Sequence, residues 1–215
     1  MILYSHPFSS YCQKAIVAFY ENDIPFEHRL LENPESMAEL EALWPLKKFP
    51  VLVDDGVVVP EATSIIEHLA VRHPGPVALI PADPVAAVEV RMMDRIFDNY
   101  VSSSQQKIIY NALRPEADRD AQADLDARTT LDQIYPWLDA RMAGREWATG
   151  YGFSLADCAA APSLFYADWT HAIPDDLVHL KAYRARLLAR PSMARAVDEA
   201  RKYRSYFPLG APDRD

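Results

Sequence analysis

The chain has 215 residues, half of them hydrophobic, with 22 basic against 31 acidic side chains and a formal net charge of -9. That length accommodates one large domain or two small ones around a sizeable core, and the acidity argues against a nucleic-acid partner, which would require a basic face. The N-terminus shows no signal-type pattern, no apolar run reaches membrane-spanning length, and the cysteines are Cys12 and Cys158 alone, so the expectation is a cytoplasmic protein without a disulfide framework.

The first third alternates strand and helix signals. Met1-Tyr4 is a short apolar run, a buried strand. Tyr11-Asn22 carries Ala15, Ile16, Phe19 and Tyr20 at helical spacing, with Ser9 or Ser10 as the N-cap. Phe26-Leu31 follows Pro25 and alternates as a second strand, and Pro34-Leu43 sets Met37, Leu40 and Leu43 on one helical face. Val51-Val53 and Val57-Val59 flank Asp54-Asp55-Gly56, a hairpin signal. Glu61-Arg72 is helical, with Ile65, Ile66, Leu69 and Ala70 on one side, and Ser64 and Glu67 at the spacing of a capping box.

This βαβ-α-ββα order fills residues 1–74, and the Pro-rich stretch that follows, residues 75–84, is the linker candidate. Residues 85–215 contain no strand signal and are expected to be all helical. Val85-Leu113 is long and carries a kink candidate at Ser102-Ser104; Asp120-Ala143 is interrupted or kinked at Pro136; Ser154-Ala167, Asp176-Ala189 and Ser192-Tyr203 complete the set. The six histidines have no zinc-type spacing, and His68 and His73, five apart, miss the i, i+4 register of a helical metal site, so no metal is expected.

The segment "LYSHPFSSYCQKAIVAF" places a serine, Ser9, where a Cys-x-x-Cys pair ending at Cys12 would have its first thiol. "KKFPVL" (Lys47-Leu52) brings a proline into a strand, an unusual position because proline cannot donate to the ladder. "PEATS" (Pro60-Ser64) opens a helix, and "GYGFSLADCAAAP" (Gly150-Pro162) contains Ser154 and Asp157 at capping-box spacing. With the order of elements, these stretches resemble the serine-type members of the cytosolic glutathione transferase superfamily over nearly the whole chain. The resemblance implies an α/β thioredoxin-like domain joined to an all-α C-terminal domain, assembled as a homodimer, with glutathione as co-substrate and an electrophilic small molecule as its partner; a non-catalytic binding or regulatory protein of the same fold and a glutathione-dependent thiol reductase or isomerase are the alternatives.

Carried over residue by residue, the resemblance implies that Ser9 faces the thiol of glutathione. Pro50 is the cis proline, Phe49 offers its backbone to the cysteinyl part, Lys48 faces the glycine carboxylate, and Glu61 accepts from the γ-glutamyl ammonium. The family usually has serine where this chain has Ala62. Losing that hydrogen bond to a carboxylate costs roughly 1.5–3 kcal/mol, about 10- to 100-fold in affinity. Backbone N–H groups at the helix start, or Thr63, are the candidates to replace it.

The chemistry needs an ionised sulfur. An unperturbed thiol has a pKa of about 8.5, and a donated hydrogen bond of roughly 1.5–3 kcal/mol lowers it by about one to two units. Ser9 would therefore act as donor to the ligand's nucleophile, with Ser10 as the adjacent rival and Tyr4 as a tyrosine-type alternative. Cys12, one helical turn on, reads as a buried small hydrophobe or as the remnant of a redox pair, and Cys158 as inert core. Candidate walls of the electrophile pocket are Phe8, Tyr11, Tyr100, Ser104 and Tyr110, closed by Trp169 and the aromatic tail Tyr203-Leu209.

Overall fold

The computed structural model describes all 215 residues. Four short strands, β1 (Ile2–Ser5), β2 (Glu27–Leu30), β3 (Val51–Asp54) and β4 (Val57–Pro60), form one sheet in the order β2-β1-β3-β4. β1 runs parallel to β2 and antiparallel to β3, and β3 turns directly into β4. Asp55 and Gly56 make that turn with φ of 48° and 82°, the left-handed pair a tight hairpin demands.

Side chains alternate across the sheet. Leu3 and Leu52 point into the main core with Ile16 and Phe19 of α1 (Ser10–Glu21) and Ile65, Ile66 and Leu69 of α3 (Ala62–Arg72). Tyr4 and Val51 point the other way, onto Leu40 of α2 (Pro34–Leu43) and Leu31. One face of the sheet thus carries α1 and α3 and the other carries α2.

α3 begins at Ala62, with Glu61 at its N-cap and no side-chain cap bond. Ser64 is already inside the helix, and Glu67 bonds Arg91 on the next helix at 2.7 Å, so the expected Ser64–Glu67 capping box does not form.

Residues 73–83 run without regular structure and are pinned near their middle. The Asn22 carboxamide bonds both the N–H (2.8 Å) and the C=O (3.1 Å) of Val77, and Leu155 N donates to Leu79 O at 2.9 Å. A Cβ on Gly75 would collide with the Asn22 side chain down to its Cβ, so glycine is required there.

The remainder is helical. α4 (Pro84–Ile96) is capped by Asp83 and passes into α5 (Ser103–Ala112) through a π-helical segment, Phe97–Ser102. The irregularity expected at Ser102-Ser104 is therefore a widened stretch that ends there, rather than a sharp bend. α6 (Ala121–Met142) runs unbroken through Pro136. α7 (Leu155–Thr170) is buried along its whole length and packs against α1, α4 and α8 (Val178–Ala189). α9 (Pro191–Ala200) and a tight helical turn, Arg201–Tyr206, close the chain.

Asp157 is the polar centre of this domain: it accepts from Ser154 N (3.0 Å), Ser154 Oγ (3.1 Å), Ala148 N (2.8 Å) and the Tyr183 hydroxyl (2.7 Å). The capping box expected at Ser154 and Asp157 is present. Burial pushes the Asp157 carboxyl up, and these four donors oppose it.

Candidate active site

The loop between β1 and α1 holds itself in shape. Ser9 N donates to His6 O (3.0 Å), Phe8 N to His6 Nδ1 (3.1 Å) and His6 N to Cys12 Sγ (3.4 Å). The buried Gln13 amide ties Pro7 O (2.9 Å) to the Tyr166 hydroxyl on α7 (3.2 Å), so the loop is fixed from both domains. Ser9 is the N-cap of α1, and its Oγ accepts from Cys12 N at 3.4 Å. The hydroxyl therefore stands at the positive end of a 12-residue helix.

Ser9 lines a cleft of about 670 Å³ between the sheet domain and α4–α5. Ser10 does not. It is buried, its Oγ accepts from Gln105 Nε2 (3.4 Å) and Gln106 Nε2 (3.3 Å), and it borders a smaller cavity of about 120 Å³. Tyr4 lies on the far face of the sheet and donates to Glu39 at 2.9 Å. Cys12 is fully buried, and burial pushes its thiol up to about 12 against weaker opposing bonds from His6 and Ser9.

The rest of the sheet domain's share of the cleft comes from Lys48, Phe49, Pro50, Glu61 and Ala62. The Phe49–Pro50 peptide bond is cis. Lys48 Nζ sits 5.9 Å from the ring centroid of Tyr110 on α5, bridging the mouth of the cleft. Glu61 has φ of 71°, a left-handed backbone that costs a non-glycine residue of order 1–3 kcal/mol. Such strain is concentrated at functional sites, and here it sits at the entry to α3.

The helical side contributes Arg95, Asp98 and Lys107, none of which the sequence pattern singled out. Arg95 and Asp98 belong to an ion cluster beneath the cleft. Lys14 on α1, almost wholly buried, bonds Asp94 (2.5 Å), Asp98 (2.6 Å) and Thr63 Oγ1 (2.8 Å). Arg95 bonds Asp94 (2.9 Å through Nε), Asp98 (3.1 Å) and the Thr63 hydroxyl. Burial holds the Asp98 carboxyl up, and Lys14 opposes that rise. The only trace in the sequence is the Asp94, Arg95, Asp98 spacing on one helix, which reads as ordinary surface charge until Lys14 is brought under it.

Five expected site residues lie elsewhere. The Thr63 hydroxyl is consumed by the ion cluster, and Thr63 does not line the cleft. Phe8 lines the smaller cavity, which the tail residues Tyr206, Phe207 and Pro208 close. Tyr100 is half exposed and outside the cleft, and Ser104 is buried and donates to Tyr100 O (2.8 Å). Trp169 packs on Phe165 (4.5 Å) and Phe207 (5.4 Å) and belongs to the core. Tyr11 and Tyr110 do line the cleft, and burial pushes the Tyr11 phenol up.

His68 and His73 are the second place where the structure departs from the sequence reading. α3 ends at Arg72, and His73 leaves it with φ of -135°, which turns its ring back toward His68. Both Nε2 atoms meet Asp54 Oδ2, at 2.8 and 2.7 Å.

A four-stranded mixed sheet with a cis proline, a serine capping its first helix and a helical domain closing one cleft define a thioredoxin-like domain fused to an α-bundle. Family models place the chain more narrowly: "Glutathione S-transferase, N-terminal domain" matches residues 3–77 and "Glutathione S-transferase, C-terminal domain" matches residues 101–191. The chain belongs to the glutathione S-transferase family.

Among curated relatives, FtsZ-localized protein A of Caulobacter vibrioides is 28% identical over 200 residues, covering 88% of this chain and 87% of the relative. The stringent starvation protein A homolog of Coxiella burnetii is 27% identical over 203 residues, covering 93% and 92%. Among solved structures, a glutathione S-transferase from Methylobacillus flagellatus with glutathione bound superposes with a TM-score of 0.80 at 26% identity, covering 91% of this chain and 98% of that one. No helix is long and apolar enough to cross a membrane.

Proposed function

We propose that this protein is a glutathione-dependent transferase in which Ser9 donates a hydrogen bond to the sulfur of bound glutathione and holds it as a thiolate. The observation that carries the reading is the position of Ser9 at the N-cap of α1, in the wall of a cleft whose charge suits the ligand. The cleft is lined by Lys47, Lys48, Arg95 and Lys107 against Glu61 and Asp98, so it is cationic in a protein of net charge -9. Glutathione as thiolate carries three anionic groups and one ammonium. A volume of about 670 Å³ falls within the range of small-molecule sites.

The γ-glutamyl end is an amino-acid head, and Glu61 and Asp98 supply acceptors for its ammonium. With alanine at 62, the carboxylate would fall to Arg95 and the backbone N–H groups that open α3. Lys48 takes the glycine carboxylate, and the cis Pro50 segment presents Phe49 to the cysteinyl backbone. The thiolate then attacks an electrophilic, mostly apolar small molecule held at the mouth by Tyr11 and Tyr110. Carbon–sulfur bond formation expels a leaving group or opens a strained ring, and Ser9 keeps its own proton throughout.

The protein would act as a homodimer. Val85, Val88 and Met92 form an exposed apolar stripe along α4, at the spacing of one helical face. A thiol-reductase role through Cys12 is disfavoured by its burial and its raised pKa.

A second reading, a binding or regulatory module without catalysis, draws support from Ala62 and from the relatives whose names carry no transferase activity. Calorimetry separates the two. Binding of glutathione at sub-millimolar affinity, with turnover of an aryl halide or epoxide, supports the transferase; no binding at millimolar ligand overturns it.

A further inference from the structure

We propose that Asp54, His68 and His73 form a binding site for a divalent transition-metal ion, zinc being the best match. The site is separate from the cleft. Asp54 ends β3, whereas the cis Pro50 precedes it by four residues, about 13 Å of extended strand, and none of the three lines the cleft.

The three groups come from different structural origins and meet at one point. Asp54 is held by the hairpin turn that follows it and is only 4% exposed. His68 lies on α3 and His73 at its C-terminal end, and the donor atoms of all three lie within 4.8 Å of one another. A buried carboxylate with two imidazole nitrogens aimed at a single one of its oxygens is a donor set suited to zinc, copper or nickel.

In a tetrahedral site with bonds of about 2.0–2.1 Å, neighbouring ligand atoms lie about 3.3 Å apart. The present 2.7 and 2.8 Å contacts therefore need to open by about half an ångström, within the reach of side-chain rotation. The ion takes the place of the two Nε2–H protons that now bridge the rings to the carboxylate; in each neutral imidazole that proton moves to Nδ1, which frees both Nε2 atoms to join one carboxylate oxygen as ligands. His68 and His73 keep partial exposure, 16% and 31%, which provides an entry path and leaves a fourth position to water. Bound metal would staple the end of β3 to the end of α3 and to the start of the linker, where His73 stands.

The test uses the full chain, stripped with a chelator and kept free of glutathione, which itself binds metals. Zinc chloride is titrated by calorimetry, and cobalt(II) chloride by visible absorption. The proposal expects one equivalent of zinc bound at micromolar affinity or tighter, intense tetrahedral cobalt bands, and a Tm that rises with zinc. It also expects at least a tenfold loss of affinity in each of His68→Gln and His73→Gln, with circular dichroism showing the variants folded. No saturable zinc binding by the wild-type chain at 100 μM (about a tenth of a millimolar) overturns it. So does zinc binding of unchanged affinity in the His68→Gln, His73→Gln double variant, which would place the ion elsewhere.

Discussion

The Ser9 hydroxyl oxygen accepts from Cys12 N at 3.4 Å, so the serine that faces the cleft is held by its lone pair. Its proton remains available to a sulfur in the cleft. The one competing acceptor at hand, Cys12 Sγ, already receives the His6 N–H at 3.4 Å and is kept neutral by burial. A neutral thiol is a weak acceptor, and an anionic ligand sulfur outcompetes it. On the proposed reading, the sequence element that looks like a damaged redox pair serves as a donor, held in place by the remnant of that pair.

This relationship makes Cys12 inert. With its pKa near 12, the thiol stays protonated across the whole range below that value, and it has no access to solvent. Cys158 is equally buried, and burial pushes its thiol up as well. Neither cysteine is expected to react with an alkylating agent or a disulfide reagent in the native protein at pH 8, and both should react once it is unfolded. Stoichiometric labelling of the native chain would contradict the burial of these thiols.

On the proposed reading, Ala62 sets the glutathione affinity. It lines the cleft at the first residue of α3, where a serine hydroxyl would reach a carboxylate, and Thr63 is unavailable because its hydroxyl serves Lys14 and Asp94. Ala62→Ser is expected to tighten glutathione binding by about 10-fold or more, the value of one hydrogen bond to a charged group. Calorimetry reads this directly, and an unchanged Kd would show that Arg95 or the helix start already satisfies the carboxylate.

Lys14 ties the sheet domain to the start of the helical domain. Its ammonium is buried between Asp94 and Asp98, and removing it leaves the half-exposed Arg95 as the one cation shared by two carboxylates. Lys14→Met is expected to cost about 3–5 kcal/mol in denaturant unfolding, the usual consequence of breaking a buried pair from one side. A loss below about 1 kcal/mol would mean that Arg95 compensates by itself.

Much of this fold is readable from residue patterns. The strand and helix order follows from apolar periodicity, the hairpin from Asp55-Gly56, and the helical-domain cap from Ser154 and Asp157, because each depends on neighbours within a few residues. The chemistry of the ion cluster is not readable this way. Lys14, Thr63 and Asp94 lie up to 80 residues apart, and each alone has an ordinary solvated alternative. His68 and His73 were hidden for a different reason: the register argument assumes a continuous helix, and the helix ends one residue too soon for it to apply. Pro136 shows the reverse, a local breaker overridden by the packing of a 22-residue helix.

The apolar stripe on α4 bears on assembly. Val88 is exposed in the single chain, between Val85 and Met92. Val88→Asp is expected to convert a dimer to a monomer in light scattering while preserving the fold, because burying the added charge at an interface is prohibitive without a partner. A dimer of unchanged stability would place the interface on another surface.

The most direct test of Ser9 is the pKa of glutathione's thiol in the complex, followed by the ultraviolet absorbance of the thiolate as pH is raised. The wild-type protein should show the bound thiol half-ionised about one to two units below the free value of about 8.5. Ser9→Ala should return it toward that value while glutathione still binds, and Ser10→Ala should leave it where the wild type has it. Identical titrations for Ser9→Ala and wild type would contradict the account.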